Sequence, residues 1–199
     1  MVQIDASTLS KREHYHLLTR AVAPRPIAFV TSQSKEGVLN GAPFSYFTIV
    51  SAEPPFLMIS VQRKDKKMKD TARHIIKSGE CVIHIVDETN VEEINKTASA
   101  LPTDESEVDT FDFTRVQSQR VKVDGVKEAQ IRMECELDTH TVVGDESADL
   151  IVVRVVHYHL DDAIFDGSVI DDERLKPVAR LGGQSYSKLG EMFELVRPK

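Results

Sequence analysis

The sequence predicts a mainly β domain with short helices, folded as a closed or split antiparallel barrel. Three observations predict it. About seven runs rich in β-branched and aromatic residues recur along the chain, punctuated by Gly, Pro and Asn turn signals. Two of the runs, residues 130–143 and 148–160, flank Gly144-Asp145-Glu146-Ser147 and read as one long hairpin. Helix start and stop signals enclose only short stretches.

Taken in order, Ser10 and Glu13 form a capping-box pattern ahead of a helix over Lys11 to Arg20. Ala23-Pro24 ends it, because the residue before a proline is pushed out of the helical region. Ile27 to Thr31 is a strand with apolar residues on both faces, the pattern of a strand buried on two sides. A polar turn over Gln33 to Gly41 leads to a second strand, Phe44 to Val50. Ala52-Glu53-Pro54-Pro55 breaks the ladder, and Phe56 to Val61 is a third strand. Behind the basic stretch 63–69, Asp70 or Thr71 caps a helix over Ala72 to Ser78, closed by Gly79. Cys81 to Val86 is a strand, and Asn90 with Glu93 caps a helix through Ala98. A polar, acidic loop fills 99–114, and Val121 to Val123 is a short strand before the long hairpin. Residues 161–178 are turn-rich, and Leu181-Gly182-Gly183-Gln184-Ser185-Tyr186 sets a glycine turn beside an aromatic. The expected organisation is a single domain over 1–199, with a core over 20–160 and a tail over 161–199 that packs back on the site.

Composition narrows the function classes. A net charge of −7 argues against general nucleic-acid binding, which needs a basic footprint. The two cysteines, Cys81 and Cys135, form no C-x-x-C pair and read as buried, reduced thiols. The first residues lack the apolar core of a secretory signal, and no run of ~18 apolar residues could cross a bilayer. A cytoplasmic location is the expectation. Several chemistries lack their residues. There is no Walker loop and no G-x-G-x-x-G. Gly183-Gln184-Ser185-Tyr186-Ser187 has no glycine in the fifth place of a nucleophile elbow. His14 and His16 do not share a helix face. His157 and His159, with His140, could be imagined around a metal, but no metal site is assigned. Asp161, Asp162 and Asp166 read as a solvated turn.

Residues 24–71 concentrate the remaining signal. Arg63, Lys64, Lys66, Lys67 and Lys69 precede a helix N-terminus, where free N–H groups and the helix dipole favour an anion. Thr71 adds a hydroxyl. Ser45, Thr48 and Ser51 place hydroxyls in an otherwise apolar strand, as the edge of a planar heteroaromatic ring requires. An apolar wall, a polar rim and an anion site together suit a flat, phosphorylated, aromatic ligand.

PRPIAFVTS (24–32), NGAPFSYFTIVSAEPP (40–55) and KDT (69–71) resemble the flavin reductase-like FMN-binding split barrels, including their flavoredoxin-type members. The likeness is densest from residue 22 to about 86, and Arg180, Gly182, Gly183 and Tyr186 resemble the family's R-x-G-G-x-x-Y ending. The resemblance implies an antiparallel split barrel and a homodimer with FMN near the subunit interface. It implies that Ser45, Tyr46, Phe47 and Thr48 run along the flavin ring. Ser51, Gln62, Arg63, Lys64, Lys69, Asp70 and Thr71 would approach the phosphate, and Thr31, Ser32, Asn40 and Ala42 would shape the entrance. Asn95 matches a family asparagine, although the usual serine at position 98 is alanine here. Tyr186 would cover the ring with Arg180 beside it. The implied activity is hydride transfer from NAD(P)H to flavin, with electrons passing to an acceptor, which could be a partner protein. No acid–base pair is expected, because a flavin carries the chemistry itself. An FMN-binding electron carrier without nicotinamide chemistry, a flavin-dependent oxidase and a flavin-free barrel are the rival readings.

Overall fold

The computed structural model describes residues 1–198. After a 3-10 turn at Ala6–Thr8 the helices are α1 (Lys11–Ala21), α2 (Asp70–Ser78), α3 (Val91–Lys96), α4 (Glu107–Thr110) and α5 (Asp172–Leu175). The strands are β1 (Arg25–Pro26), β2 (Ala28–Gln33), β3 (Leu39–Phe44), β4 (Phe47–Ala52), β5 (Pro55–Gln62), β6 (Glu80–Ile85), β7 (Arg115–Val116), β8 (Gly125–Val126), β9 (Ile131–Val143), β10 (Ala148–Leu160), β11 (Ala179–Arg180) and β12 (Tyr186–Ser187).

Seven strands form one antiparallel sheet in the order β3-β2-β6-β9-β10-β5-β4. Its two edges are consecutive in the chain. Only Ser45 and Tyr46 separate Phe44 at the end of β3 from Phe47 at the start of β4. Three peptide units span at most ~11 Å. A flat sheet of this size would hold its edges about 29 Å apart. The sheet must therefore curl until its edges meet, and this makes the split barrel. At the seam the Ser60 amide donates to the Tyr46 carbonyl at 2.8 Å.

The curled sheet separates two apolar clusters. Inside lie Ala28, Val30, Ile59, Val61, Ile83, Cys135, Ile151 and Val153, with Ala72 and Ile75 of α2 closing the interior. Outside β2, β3 and β6, Phe29, Leu39 and Val82 pack against Ile94, Val108, Phe113 and Val126. Residues of β2 alternate between the two, Ala28 and Val30 inward and Phe29 outward, which accounts for its apolar character on both faces. Cys81 and Cys135 face each other across β6 and β9, both buried and unbridged.

The helix at Ser10 carries its capping box, and the long hairpin turns over Gly144 and the left-handed Asp145 and Glu146. Four expectations are corrected. The expected strand Phe44 to Val50 is two strands broken at Ser45-Tyr46, since one straight strand cannot serve both edges of the curled sheet. Asn40 and Gly41 lie within β3, and the turn tightens to 34–38, closed by the Ser34 amide on the Val38 carbonyl at 2.9 Å. Val121 to Val123 is not a strand. The amides of Gln119, Arg120 and Val121 donate to the buried Glu134 carboxylate instead of to a neighbouring strand. Finally, Lys69 is the N-cap of α2 and has no side-chain cap bond, so Asp70 and Thr71 lie inside the helix.

Candidate functional site

The first turn of α2 opens onto a cavity of about 360 Å³. Its walls come from β3 (Asn40, Ala42), the basic loop (Lys64, Lys69), α2 (Asp70, Thr71), residues 97–101 after α3, and Glu107 of α4. Among the described residues no side chain caps α2 at Lys69, so its first amides keep their hydrogen-bonding capacity. Those amides, the helix dipole and two lysines form an anion-attracting wall.

A buried polar chain backs this wall. Thr71 donates from Oγ1 to Asn40 Oδ1 at 2.8 Å. Ser32 Oγ donates to the same oxygen at 3.3 Å and lies 3.5 Å from His74 Nδ1. Asn40 Nδ2 donates to Glu107 Oε2 at 2.9 Å, and the Gly41 amide reaches that oxygen at 3.2 Å. Burial pushes the Glu107 carboxyl above the usual range and holds the His74 imidazole below its own. The Thr71 hydroxyl proton is thus committed inward, and anion recognition at this wall falls to amides and lysines.

The residues expected around one ligand fall into three groups. Asn40, Ala42, Lys64, Lys69, Asp70 and Thr71 line the cavity just described, with Ser32 behind them. Phe47, Thr48 and Ser51 line a second, largely apolar cavity of about 510 Å³ with Ile49, Met133 and Tyr158. Ser45 and Tyr46 form the seam between β3, which lines the first, and β4, which lines the second. Asn95 and Tyr186 line a third cavity of about 330 Å³ on α3. There Tyr186 Oη donates to Asn95 Oδ1 at 2.7 Å, and the Arg180 guanidinium stacks 4.3 Å from the Tyr186 ring centre. The tail after 178 therefore packs on α3, whose C-terminal continuation walls the first cavity.

Other expected residues are engaged elsewhere. Thr31 is fully buried and donates to the Asp124 carbonyl at 2.8 Å. Gln62 is exposed and donates to Ser60 Oγ at 3.1 Å. Arg63 makes a two-pronged pair with the buried Asp149, Nε at 2.8 Å and Nη2 at 2.7 Å. The guanidinium beside Asp149 holds that carboxyl below the usual range, aided by His140 at 2.9 Å. His140 is thereby drawn away from His157 and His159. Glu134 stands beside those two instead, with ligand atoms within 4.8 Å of one another. Its carboxylate already accepts from Gln119, Arg120 and Val121 amides and from His159 Nε2 at 2.6 Å. Burial raises its pKa, but these donors outweigh it and hold it at about 2.

Glu107, His74 and the segment 97–101 were not expected at the site. Glu107 carried only a weak signal, an acid placed beside Val108 behind the helix-capping Ser106.

The model of the flavin reductase like domain matches residues 20–178. YwrF of Bacillus subtilis strain 168 is 46% identical over 205 residues, covering 100% of both chains. Among solved structures, nitrilotriacetate monooxygenase component B from Bacillus cereus is 48% identical with a TM-score of 0.96, over 98% of each chain. The 2-nitrobenzoate 2-nitroreductase NbaA of Pseudomonas fluorescens is 29% identical with a TM-score of 0.90, over 99% of this chain and 96% of that one. Flavoredoxin of Desulfovibrio vulgaris, at 18% identity and a TM-score of 0.76 over 98% of this chain and 96% of that one, shares the fold. A split barrel with an uncapped helix and two lysines at one cavity, matched over most of its length, places the chain in the flavin reductase like domain family.

Proposed function

We propose that this protein binds FMN and acts as an NAD(P)H-dependent flavin reductase that passes electrons to an acceptor. The observation that carries the reading is the α2 cavity, where uncapped helix amides, Lys64 and Lys69 fit a phosphate monoester. The phosphate would be held by those groups, and the ring would lie across the Ser45–Tyr46 seam toward Thr48. The relatives named as a monooxygenase component and a nitroreductase support oxidoreductase chemistry.

Bound flavin supplies the ring that accepts a hydride and releases electrons. The residues of this chain orient and shield it. Phe47 and Leu57 present apolar surface, while Thr48 and Ser51 offer hydroxyls at the rim. With no separate nucleotide-binding motif in the sequence, the nicotinamide would lie over the open face of the flavin. Exposed apolar side chains on α1 (Leu17, Leu18) and β4 (Ile49, Val50) support a homodimer that covers this side. A cytoplasmic setting and a protein acceptor complete the proposal.

Stopped-flow mixing of the FMN-reconstituted protein with NADH or NADPH tests it. Loss of the flavin absorbance supports the reductase. A coloured protein bleached by neither nicotinamide supports instead an electron carrier that takes electrons from a protein donor.

A further inference from the structure

The cavity assigned above to a phosphate has a carboxylate in its wall. Glu107 is 9% exposed and lines the cavity with Lys64, Lys69 and Thr71. Its Oε2 takes the bonds from Asn40 Nδ2 and the Gly41 amide. The backbone amide of Glu107 itself also bonds the carboxyl. A largely buried carboxylate in the wall of an anion site is costly to keep ionised once a second anion arrives beside it. Two acids crowded into one poorly solvated site retain a proton between them, as paired carboxylates do.

The groups around Glu107 favour the same result. From α2 comes Asp70, itself paired with Arg73, and its charge disfavours an ionised Glu107. From α2 also comes His74, kept neutral by burial. The basic loop brings Lys64 and Lys69, which attract the anion. Residues 97–101 and the adjoining stretch of β3 bring no charge. On its own helix, Asp109 is neutralised by Arg115. Burial and Asp70 together push the Glu107 carboxyl up.

We propose that Glu107 is a specificity-determining residue: it makes this cavity select phosphate monoesters by sharing one proton with the bound phosphate. The proposal rests on the reading that the cavity takes the FMN phosphate. A phosphate monoester loses its second proton near pH 6. Close to neutrality it brings or accepts the shared proton easily, so that either P–OH donates to Glu107 Oε1 or the carboxylic O–H donates to a phosphate oxygen. Sulfate and the pyrophosphate diester of FAD have no such proton to bring. The carboxylate wall therefore favours FMN over FAD, and phosphate over sulfate, where the lysines alone would favour the greater charge.

The test is FMN titration by flavin fluorescence from pH 6 to 9, for wild type and Glu107→Gln, with calorimetry of wild type in two buffers at pH 8. The glutamine keeps an acceptor for Asn40 and Gly41 and removes the charge. Wild type is expected to take up close to one proton per FMN at pH 8. Its FMN affinity should fall by about tenfold per pH unit above pH 7, the slope of one linked proton. Glu107→Gln should bind FMN at least about tenfold more tightly at pH 8, with a flat profile over that range. It should also lose the preference of wild type for inorganic phosphate over sulfate as competitor. The same slope in both proteins, or no proton uptake by wild type, overturns the proposal while leaving FMN binding intact. Wild type that binds no FMN at any pH overturns the functional reading and this proposal with it. The calorimetry uses wild type alone, so a variant that fails to fold still leaves a decisive result.

Discussion

Thr71 donates its hydroxyl proton to Asn40 Oδ1 at 2.8 Å, and both side chains are buried. That bond turns the hydroxyl away from donating into the cavity. Thr71 is thus a residue that shapes the wall, and the wall binds through backbone amides and lysines. Thr71→Val leaves Asn40 Oδ1 with the weaker Ser32 contact, which costs about 1–3 kcal/mol of folding stability. Urea unfolding is expected to show that loss, with FMN affinity reduced less than in a lysine variant. Full stability with abolished FMN binding would contradict this assignment.

Lys69→Met removes a charge from the cavity without touching the buried chain behind it. It is expected to weaken FMN by the worth of one charge-assisted hydrogen bond, about 1.5–3 kcal/mol, or roughly tenfold to 150-fold. Riboflavin, which lacks the phosphate, should bind the variant and wild type alike. Fluorescence titration with both flavins makes the comparison.

His84 is fully buried, with Nδ1 at 2.9 Å from the Phe29 carbonyl and Nε2 accepting from the Val126 amide at 3.0 Å. Burial pushes its pKa down to about 3 from an ordinary 6.5. The unfolded chain therefore binds an extra proton between these values. The stabilisation is whole above pH 6.5 and drains away as pH falls toward 3. It totals on the order of 5 kcal/mol, of which about 2 kcal/mol goes between pH 6.5 and 4.5. Denaturant unfolding at pH 7, 5.5 and 4.5 is expected to show the decline, and His84→Asn should flatten it.

Gly41 sits where β3 crosses the Phe29 ring. A Cβ there would lie 2.7 Å from Phe29 Cζ and 3.0 Å from Val108 Cγ2. Both neighbours are fully buried and hemmed in by the outer apolar cluster. Gly41→Ala should cost about 1–3 kcal/mol through overpacking. Because Asn40 and Ala42 beside it on β3 wall the cavity, the thermal midpoint and FMN affinity should fall together.

Much of the fold was legible because its signals are local. The capping box at Ser10, the Gly144 turn and the αL Gly79 each rest on a few adjacent residues. The seam at Ser45-Tyr46 was not legible, because the β-rich run from Phe44 to Ser51 passes through it with no Gly or Pro turn signal. Only the closure of the whole sheet demands a break there. The Val121 to Val123 segment read as a strand because its partner is a side chain, Glu134, which periodicity cannot show. At the site, the motif residues of β3 and α2 do converge, Thr71 reaching Asn40 from 31 residues along the chain, a meeting that the family resemblance implied and that no local signal carried. Arg63 was read as free to meet a phosphate, and Asp149, 86 residues along the chain, engages it instead. Glu107 reaches Asn40 from 67 residues away, and no spacing rule joins them.

The claim beneath the account is that this barrel grips a flavin through its phosphate at the start of α2. Parallel titrations of the purified, flavin-stripped protein with FMN and with riboflavin at pH 7 test it most directly. The account predicts saturable FMN binding at least about tenfold tighter than riboflavin, the worth of one charge-assisted contact. Equal affinity for the two flavins, or no binding of FMN by the folded protein, would contradict it.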